Sequence, residues 1–378
     1  MSVEEVTAGF SEKFDYEPTG VWSAPGRANL IGEHTDYNNG FVFPFGIDRR
    51  TFVALAPRSD MKIRIASSIS EDVVEFELGK KQPKNLDWAL YPLGVAWVMR
   101  EHATGGFDAY ITSDVPVGAG LSSSAAIECS IAAALNDVWQ AGKTEQELAL
   151  IGQRAENEIV GAPTGMMDQT ASMLAKRDAA VLLDCQSLET ELVPLGLQER
   201  GLVVAVIDTR VAHRHADGGY KSRRDACERG AKKMGVESLR ELSEADLPDA
   251  QEKLDDDTFR RCKHVVTENR RVIDAVDALK RGDMALLGQL LLQSHASMRD
   301  DFEISVTELD TAVELAMEVG AVGARMTGGG FGGAAIAIID ASKMELLTEH
   351  CKAIFAKKGF AEPNVFAVAA SDGARRDA

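Results

Sequence analysis

Three hydroxyls behind a glycine turn are the residues best placed to do chemistry. In Val115-Pro116-Val117-Gly118-Ala119-Gly120-Leu121-Ser122-Ser123-Ser124-Ala125-Ala126, two glycines let the backbone fold tightly and approach a ligand. Behind them Ile127, Ile131, Leu135 and Val138 recur at helical spacing. A glycine turn therefore opens a helix, with Ser122 to Ser124 in its first turn. Backbone N–H groups there have no partners and the dipole is positive, so the end suits an anion such as phosphate. An ordinary serine-capped helix fits the same residues.

Three other stretches bear on that choice. Between Ser23 and Tyr37 stand Arg27, Glu33, His34 and Asp36, bracketed by Gly26 and Gly32. A surface loop with an ion pair would look similar. Dense unlike polar groups between apolar runs also mark binding loops, and carboxylates accept paired hydrogen bonds from vicinal hydroxyls, as a sugar offers. Gly161-Ala162-Pro163-Thr164-Gly165-Met166-Met167-Asp168-Gln169 reads as a turn opening a helix, where Asp168 could equally be an N-cap. The run Gly328-Gly329-Gly330-Phe331-Gly332-Gly333 leads into a strand. It is a tight turn or a backbone packed against another loop, and the glycine–serine loop is the obvious neighbour.

Other nucleotide folds are excluded. Gly328, Gly330 and Gly333 fit G-x-G-x-x-G, but a strand follows them where a dinucleotide site needs a helix. Gly142-Lys143-Thr144 resembles the end of a P-loop, yet Asp137 stands where its first glycine belongs. The protein-kinase motifs are missing, and no cysteine or histidine spacing supports zinc.

The elements that must position these residues follow from periodicity. A polar leader or first helix occupies residues 1–18. Strands are expected at 41–45, 51–55, 62–66, 73–78 and 107–112, with a helix around 87–102. Thr144–Glu147 is a capping box opening a helix that runs past Ala155, with Glu156 beside its apolar face in a position that usually faces solvent. Strands at 180–183 and 190–193 close the first half. The second half begins near Leu202 with an apolar strand, followed by a polar, basic loop that holds His213, Arg214, His215, Asp217, Tyr220, Lys221, Arg223 and Arg224. Helices at 258–280, 284–297 and 306–319 follow, then strand 334–339, a capping box at Ser342–Glu345 opening a helix to about Phe355, and strand 365–369. That order is a split βαβ, ferredoxin-like half.

The chain has 378 residues and a net charge of −18, which opposes binding to nucleic acid and to anionic membranes. Its five cysteines are scattered, which points to a reducing, cytoplasmic setting. No signal-peptide pattern or membrane-length apolar run occurs. No coiled-coil pattern stands out, so a monomer is expected.

Taken together, the stretches resemble a known family. Pro116 through Ala126 is similar to the central motif of the GHMP small-molecule kinases, and Met326 through Gly333 to their third, glycine-rich motif. Gly26 through Tyr37 looks like the signature of the branch that acts on galactose. Arg260–Asn269 and Ser294–Asp301 agree with it, and the resemblance runs from about residue 20 onward.

The resemblance implies an α+β, two-domain GHMP kinase fold: an S5-like mixed-sheet domain over 1–200 and a ferredoxin-like domain over 201–378. It implies ATP-dependent phosphorylation of α-D-galactose at the C1 hydroxyl. Gly118, Ala119, Gly120, Leu121, Ser122, Ser123 and Ser124 would then bind ATP, with Ser67 also touching the nucleotide. Ser124 and Glu156 would hold Mg2+. Asp168 would be the general base, with Arg27 beside it stabilising charge. Glu33, His34, Thr35, Asp36, Gly165 and Tyr220 would read the sugar. Kinases for N-acetylgalactosamine or arabinose remain alternatives. The Glu33–Asp36 run argues against mevalonate and homoserine as acceptors. The complete serine motif, with Arg27 and Asp168, argues against a non-catalytic galactose and ATP sensor.

Overall fold

A computed structural model describes residues 1–211 and 216–378. In chain order the strands are β1 (Gly20–Asn29), β2 (Phe41–Val42), β3 (Pro44–Pro57), β4 (Lys62–Ser67), β5 (Ser70–Glu77), β6 (Phe107–Ser113), β7 (Ala179–Asp184) and β8 (Thr190–Pro194). They continue with β9 (Leu202–Asp208), β10 (Gly323–Thr327), β11 (Ala334–Asp340), β12 (Asn364–Val368) and β13 (Arg375–Arg376).

Six strands form a mixed sheet in the order β13-β1-β3-β6-β4-β5, in which only β4 and β6 run parallel. Every residue of β1 is buried, as expected for a strand covered on both faces. On one side lies the helix Val3–Phe14, whose Val6, Phe10 and Phe14 pack on Val21, Phe52 and Ala54. The first eighteen residues are thus held by an apolar stripe. On the other side pack the helices Leu90–Val98, Ser123–Val138, Glu145–Ala155 and Met167–Leu174. A small sheet, β2-β7-β8, flanks them.

The second sheet is fully antiparallel, in the order β10-β11-β9-β12. With helices between β9 and β10 and again between β11 and β12, this is the ferredoxin-like pattern the sequence predicts. A shared core joins the halves: Leu30, Ile31, Phe43 and Phe45 meet Leu121, Val272, Leu287 and Ile336. Phe43 and Phe45 are fully buried and each stabilises by roughly 1.5–3 kcal/mol. The segments that carry the site are therefore set on one rigid packing unit.

Most predicted elements stand within a few residues of expectation, and the Thr144–Glu147 capping box is present. The Ser342–Glu345 box is not. Asp340, at the end of β11, accepts from the Ser342 N–H at 2.8 Å and caps a short turn first, so the helix Met344–Lys358 starts without a side-chain cap. Strand β13 has no sequence signal. It pairs Trp22 with Arg376 and Ser23 with Arg375, carrying the end of the second half back to the first sheet. His213, Arg214 and His215 lie outside the described residues.

Candidate active site

The glycine–serine turn forms as its residues demand. Gly118 and Gly120 have φ of 79° and 70°, and Ser122 is left-handed at 54°. Such a φ costs a serine about 1–2 kcal/mol, so tertiary contacts must hold it. The helix Ser123–Val138 follows with no side-chain cap. This overturns the capped-helix reading: the Ser122 hydroxyl donates to Asp168, and the first-turn N–H groups stay open for an anion.

Gly26 sits at a bulge in β1. A Cβ there would lie 2.6 Å from the Leu121 carbonyl, so only glycine lets the turn rest on the strand. The Arg27 N–H donates to that carbonyl at 3.0 Å. The third motif packs on the same turn, where a Cβ on Gly328 would stand 2.9 Å from the Gly120 carbonyl. The glycine run is thus backbone against backbone, as its composition suggested.

Asp168 lies in the first turn of the helix Met167–Leu174 but does not cap it. Its Oδ1 accepts from Arg27 Nε at 2.8 Å and from Arg27 Nη2 at 2.8 Å. Arg27 Nη1 donates to the Gly120 carbonyl at 2.6 Å. One buried guanidinium therefore ties the carboxylate to the phosphate-loop candidate. Asp168 Oδ2, which among the described residues accepts from the Ser122 hydroxyl, is the freer oxygen.

The loop after β1 is braced from beneath. His264 hydrogen-bonds the Glu33 carbonyl, Glu268 accepts from the Gly32 N–H, and Asn269 accepts from the Phe41 N–H. These are residues of the Arg260–Asn269 stretch, so that stretch supports the site rather than entering it. His34 has φ 62°. Burial pushes its pKa down to about 3, so the ring is neutral. With the Gly329 carbonyl at 3.1 Å from Nε2, that nitrogen carries the proton, and Nδ1 accepts from the Tyr37 hydroxyl at 2.8 Å. Both nitrogens are thus engaged, and His34 links the sugar-loop candidate to the third motif.

Glu33 is almost fully buried. It pairs with Arg325, and its Oε1 accepts from the Gly328 N–H at 2.9 Å. Asp36 is half-buried beside Gly165, where a Cβ would collide with its carboxylate at 1.9 Å. Burial, and then the nearby Asp168 charge, push the Asp36 pKa up to about 6. Tyr220 lies on the helix Ala216–Met234, where the sequence suggested a loop because the stretch is so polar; it stacks near His34 and closes the wall.

Glu156 opens a π-helical turn, Glu156–Val160, and is buried, contrary to the solvent-facing expectation. Its place beside the apolar face is buried because Thr164 and Gln169, from the following turn and helix, cover it. Its carboxylate accepts from Thr164 Oγ1 and Gln169 Nε2, each at 2.8 Å, and the Ser124 hydroxyl is close enough to act on it. Burial, then the Asp168 charge, raises its pKa. Among the described residues no cluster of three His, Cys, Asp or Glu side chains suits a metal. Ser124 and Glu156 still supply two adjacent hard oxygens, and a buried carboxylate that prefers a proton prefers a cation too. This set fits Mg2+, which takes few protein ligands and keeps water and phosphate.

A cleft of about 400 Å3 collects these parts. Arg27, Glu33, His34, Asp36, Gly118, Gly120, Leu121, Ser122, Ser123, Ser124, Gly165, Asp168 and Tyr220 all line it. Thr35, Ser67, Ala119 and Glu156 do not, Glu156 being buried behind Thr164 and Ser124. Thr35 is buried, its hydroxyl donating to the Gly32 and Phe41 carbonyls to close the loop. Ser67 ends β4 with a buried hydroxyl, and the Ala119 side chain is in the shared core. Tyr91, Thr164, Gly328–Gly330 and Phe331 also face the cleft. The glycine run gave a signal for its own part, whereas Tyr91 and Thr164 had none.

The comparisons agree with this geometry. A galactokinase galactose-binding signature matches residues 8–57, a GHMP kinase N-terminal domain 91–176 and a GHMP kinase C-terminal domain 275–357. A galactokinase of Streptomyces coelicolor is 46% identical over 373 residues, covering 97% of this chain and 96% of that protein. One from Streptomyces lividans is 43% identical over 92% of this chain and 89% of its own. The crystal structure of a Lactococcus lactis galactokinase complexed with galactose superposes with a TM-score of 0.94 at 31% identity, covering 98% of both chains. A mevalonate kinase, at 17% identity, 93% and 99% coverage and a TM-score of 0.67, shares the fold. The fold is that of a GHMP small-molecule kinase, an α+β enzyme of two domains. Within that class the chain belongs to the galactokinase family.

Proposed function

We propose that this chain transfers the γ-phosphoryl group of ATP to the C1 hydroxyl of α-D-galactose, giving galactose 1-phosphate and ADP. The observation that carries this is Asp168 bonded at once to Arg27 and to Ser122 of the glycine–serine turn. The triphosphate lies on the open N–H groups between Gly118 and Ser124. The sugar lies against Asp36, Gly165 and Tyr220, with Glu33 and His34 fixing that wall. The C1 hydroxyl takes the place of the Ser122 hydroxyl at Asp168 Oδ2 and gives its proton there. The C1 oxygen bonds to the γ-phosphorus as the bond to the β–γ bridging oxygen breaks, and ADP leaves. Arg27 supplies positive charge beside the moving phosphoryl oxygens, which suits a transition state stabilised by position and charge.

Ser124 and Glu156 would hold Mg2+, which when bound neutralises phosphate charge. Residues 1–200 carry the sugar signature, the phosphate loop and Asp168, and residues 201–378 close the cleft with the third motif. No described helix is long and apolar enough to cross a membrane, and all five cysteines are buried and free, which supports a cytoplasmic enzyme; we take it as a monomer. A coupled assay of ADP release, run with galactose, N-acetylgalactosamine, arabinose or no sugar, tests the reading. Release that depends on galactose supports it. Equal release without sugar contradicts it.

A further inference from the structure

Gln169, next to Asp168 in the chain, has no place in the mechanism above, yet it is fully buried and faces two carboxylates. Its Nε2 donates to Glu156 Oε2 at 2.8 Å and to Glu128 Oε2 at 2.8 Å. A primary amide nitrogen has two hydrogens, and here each carboxylate takes one. Among the described residues, Gln169 Oε1 and Glu128 Oε1 are buried and without hydrogen-bond partners. An amide turned the other way would lose both of these donations. Glu128 is also fully buried, on the helix Ser123–Val138 that begins with the serine motif.

We propose that Gln169 is a positioning residue for Glu156, and that Glu128 holds the Gln169 amide in the orientation this needs. The inference rests on the assignment of Ser124 and Glu156 to Mg2+. The argument is one of geometry. Glu156 begins a π-helical turn, a local feature frequent at functional sites. Thr164 and Gln169 both donate to one oxygen of that carboxylate, Oε2. The Glu128–Gln169–Glu156 chain thereby links the helix that opens at the phosphate loop to the helix that carries Asp168. Partners of this kind orient ligands, and their loss weakens metal binding by roughly 10–100-fold.

The test uses the full chain with ADP and follows Mn2+ binding by electron paramagnetic resonance. The Mg2+ concentration for half-maximal turnover is measured beside it, and thermal unfolding reports on the fold. Gln169→Leu and Glu128→Leu are expected to weaken Mn2+ binding roughly tenfold or more and to raise the Mg2+ requirement in step. Glu128→Gln keeps a carbonyl acceptor for the Gln169 amide and is expected to bind Mn2+ like the parent. Glu156→Ala is the control. If it loses Mn2+ while a folded Gln169→Leu binds normally, the positioning role is wrong and the ligand assignment stands. If Glu156→Ala also binds normally, the ligand assignment fails and this inference with it. Should Gln169→Leu not fold, the Glu128 pair decides: a difference between Leu and Gln supports the role, and equal metal binding overturns it.

Discussion

Arg27 and Asp168 are 141 residues apart in the chain, yet two nitrogens of one guanidinium close on a single carboxylate oxygen at 2.8 Å. The other carboxylate oxygen is left towards the cleft, where among the described residues it accepts from a serine hydroxyl. Arg27 comes from a fully buried strand and Asp168 from a helix packed on that sheet, so the pair is positioned by the core rather than by loops. This asymmetry gives Asp168 one oxygen for structure and one for substrate.

Arg27→Lys keeps the charge but loses the planar fork, leaving Asp168 and the Gly120 carbonyl with one donor point between them. Turnover is expected to fall on the order of tenfold or more while the KM for either substrate changes less. Steady-state kinetics against both substrates checks this, and a change confined to KM would count against it.

Gly165→Ala places a methyl group where the Asp36 carboxylate lies, within 1.9 Å. Asp36 must rotate away, so the KM for galactose is expected to rise about tenfold, equivalent to about 1.4 kcal/mol, with the KM for ATP little altered. Gly328→Ala presses instead on the Gly120 carbonyl and also adopts φ near 83°. It is expected to raise the KM for ATP and to lower stability by about 1–2 kcal/mol. Kinetics of the two variants side by side tests whether the cleft divides as described.

The Asp36 carboxyl, pushed up to about 6 by burial and by Asp168, titrates within a usable pH range. The ionised form accepts hydrogen bonds from hydroxyls, and the protonated fraction grows as pH falls through the raised value. Galactose kcat/KM, which reports the free enzyme, is therefore expected to decline on the acid side with an apparent pKa near 6. Asp36→Asn is expected to bind sugar weakly and to lose that limb. A parent profile that is flat from pH 5 to 7 would contradict this.

Arg325 is fully buried and paired with Glu33. Arg325→Met leaves a buried carboxylate unpaired, which costs about 3–5 kcal/mol. Thermal unfolding is expected to show this loss, with part of it recovered in Arg325→Met/Glu33→Gln, where the remaining group is neutral.

Much of this site is legible in the sequence because its chemistry is local. The glycines at 118, 120 and 328 are dictated by backbone conformation, and the serines, Arg27 and Asp168 stand in short, distinctive stretches. The Arg260–Asn269 stretch was visible as a motif, but its support of the 32–41 loop was not, since it depends on helix packing. Gln169 and Glu128 gain meaning only when two helices bring them to Glu156. Arg325 reads as one residue of an apolar strand until Glu33 is placed beside it. The burial of Glu156 is not legible because it depends on Thr164 and Gln169 folding over it. Strand β13 escaped notice because a two-residue pairing carries no periodicity.

The most direct measurement is the kcat of Asp168→Asn, with thermal unfolding of the same preparation. The replacement keeps the shape of the side chain and removes the proton acceptor. A general base contributes about 10²–10⁴-fold. The account predicts a loss of that size in a protein that unfolds like the parent. A folded Asp168→Asn enzyme that keeps most of its kcat would contradict it.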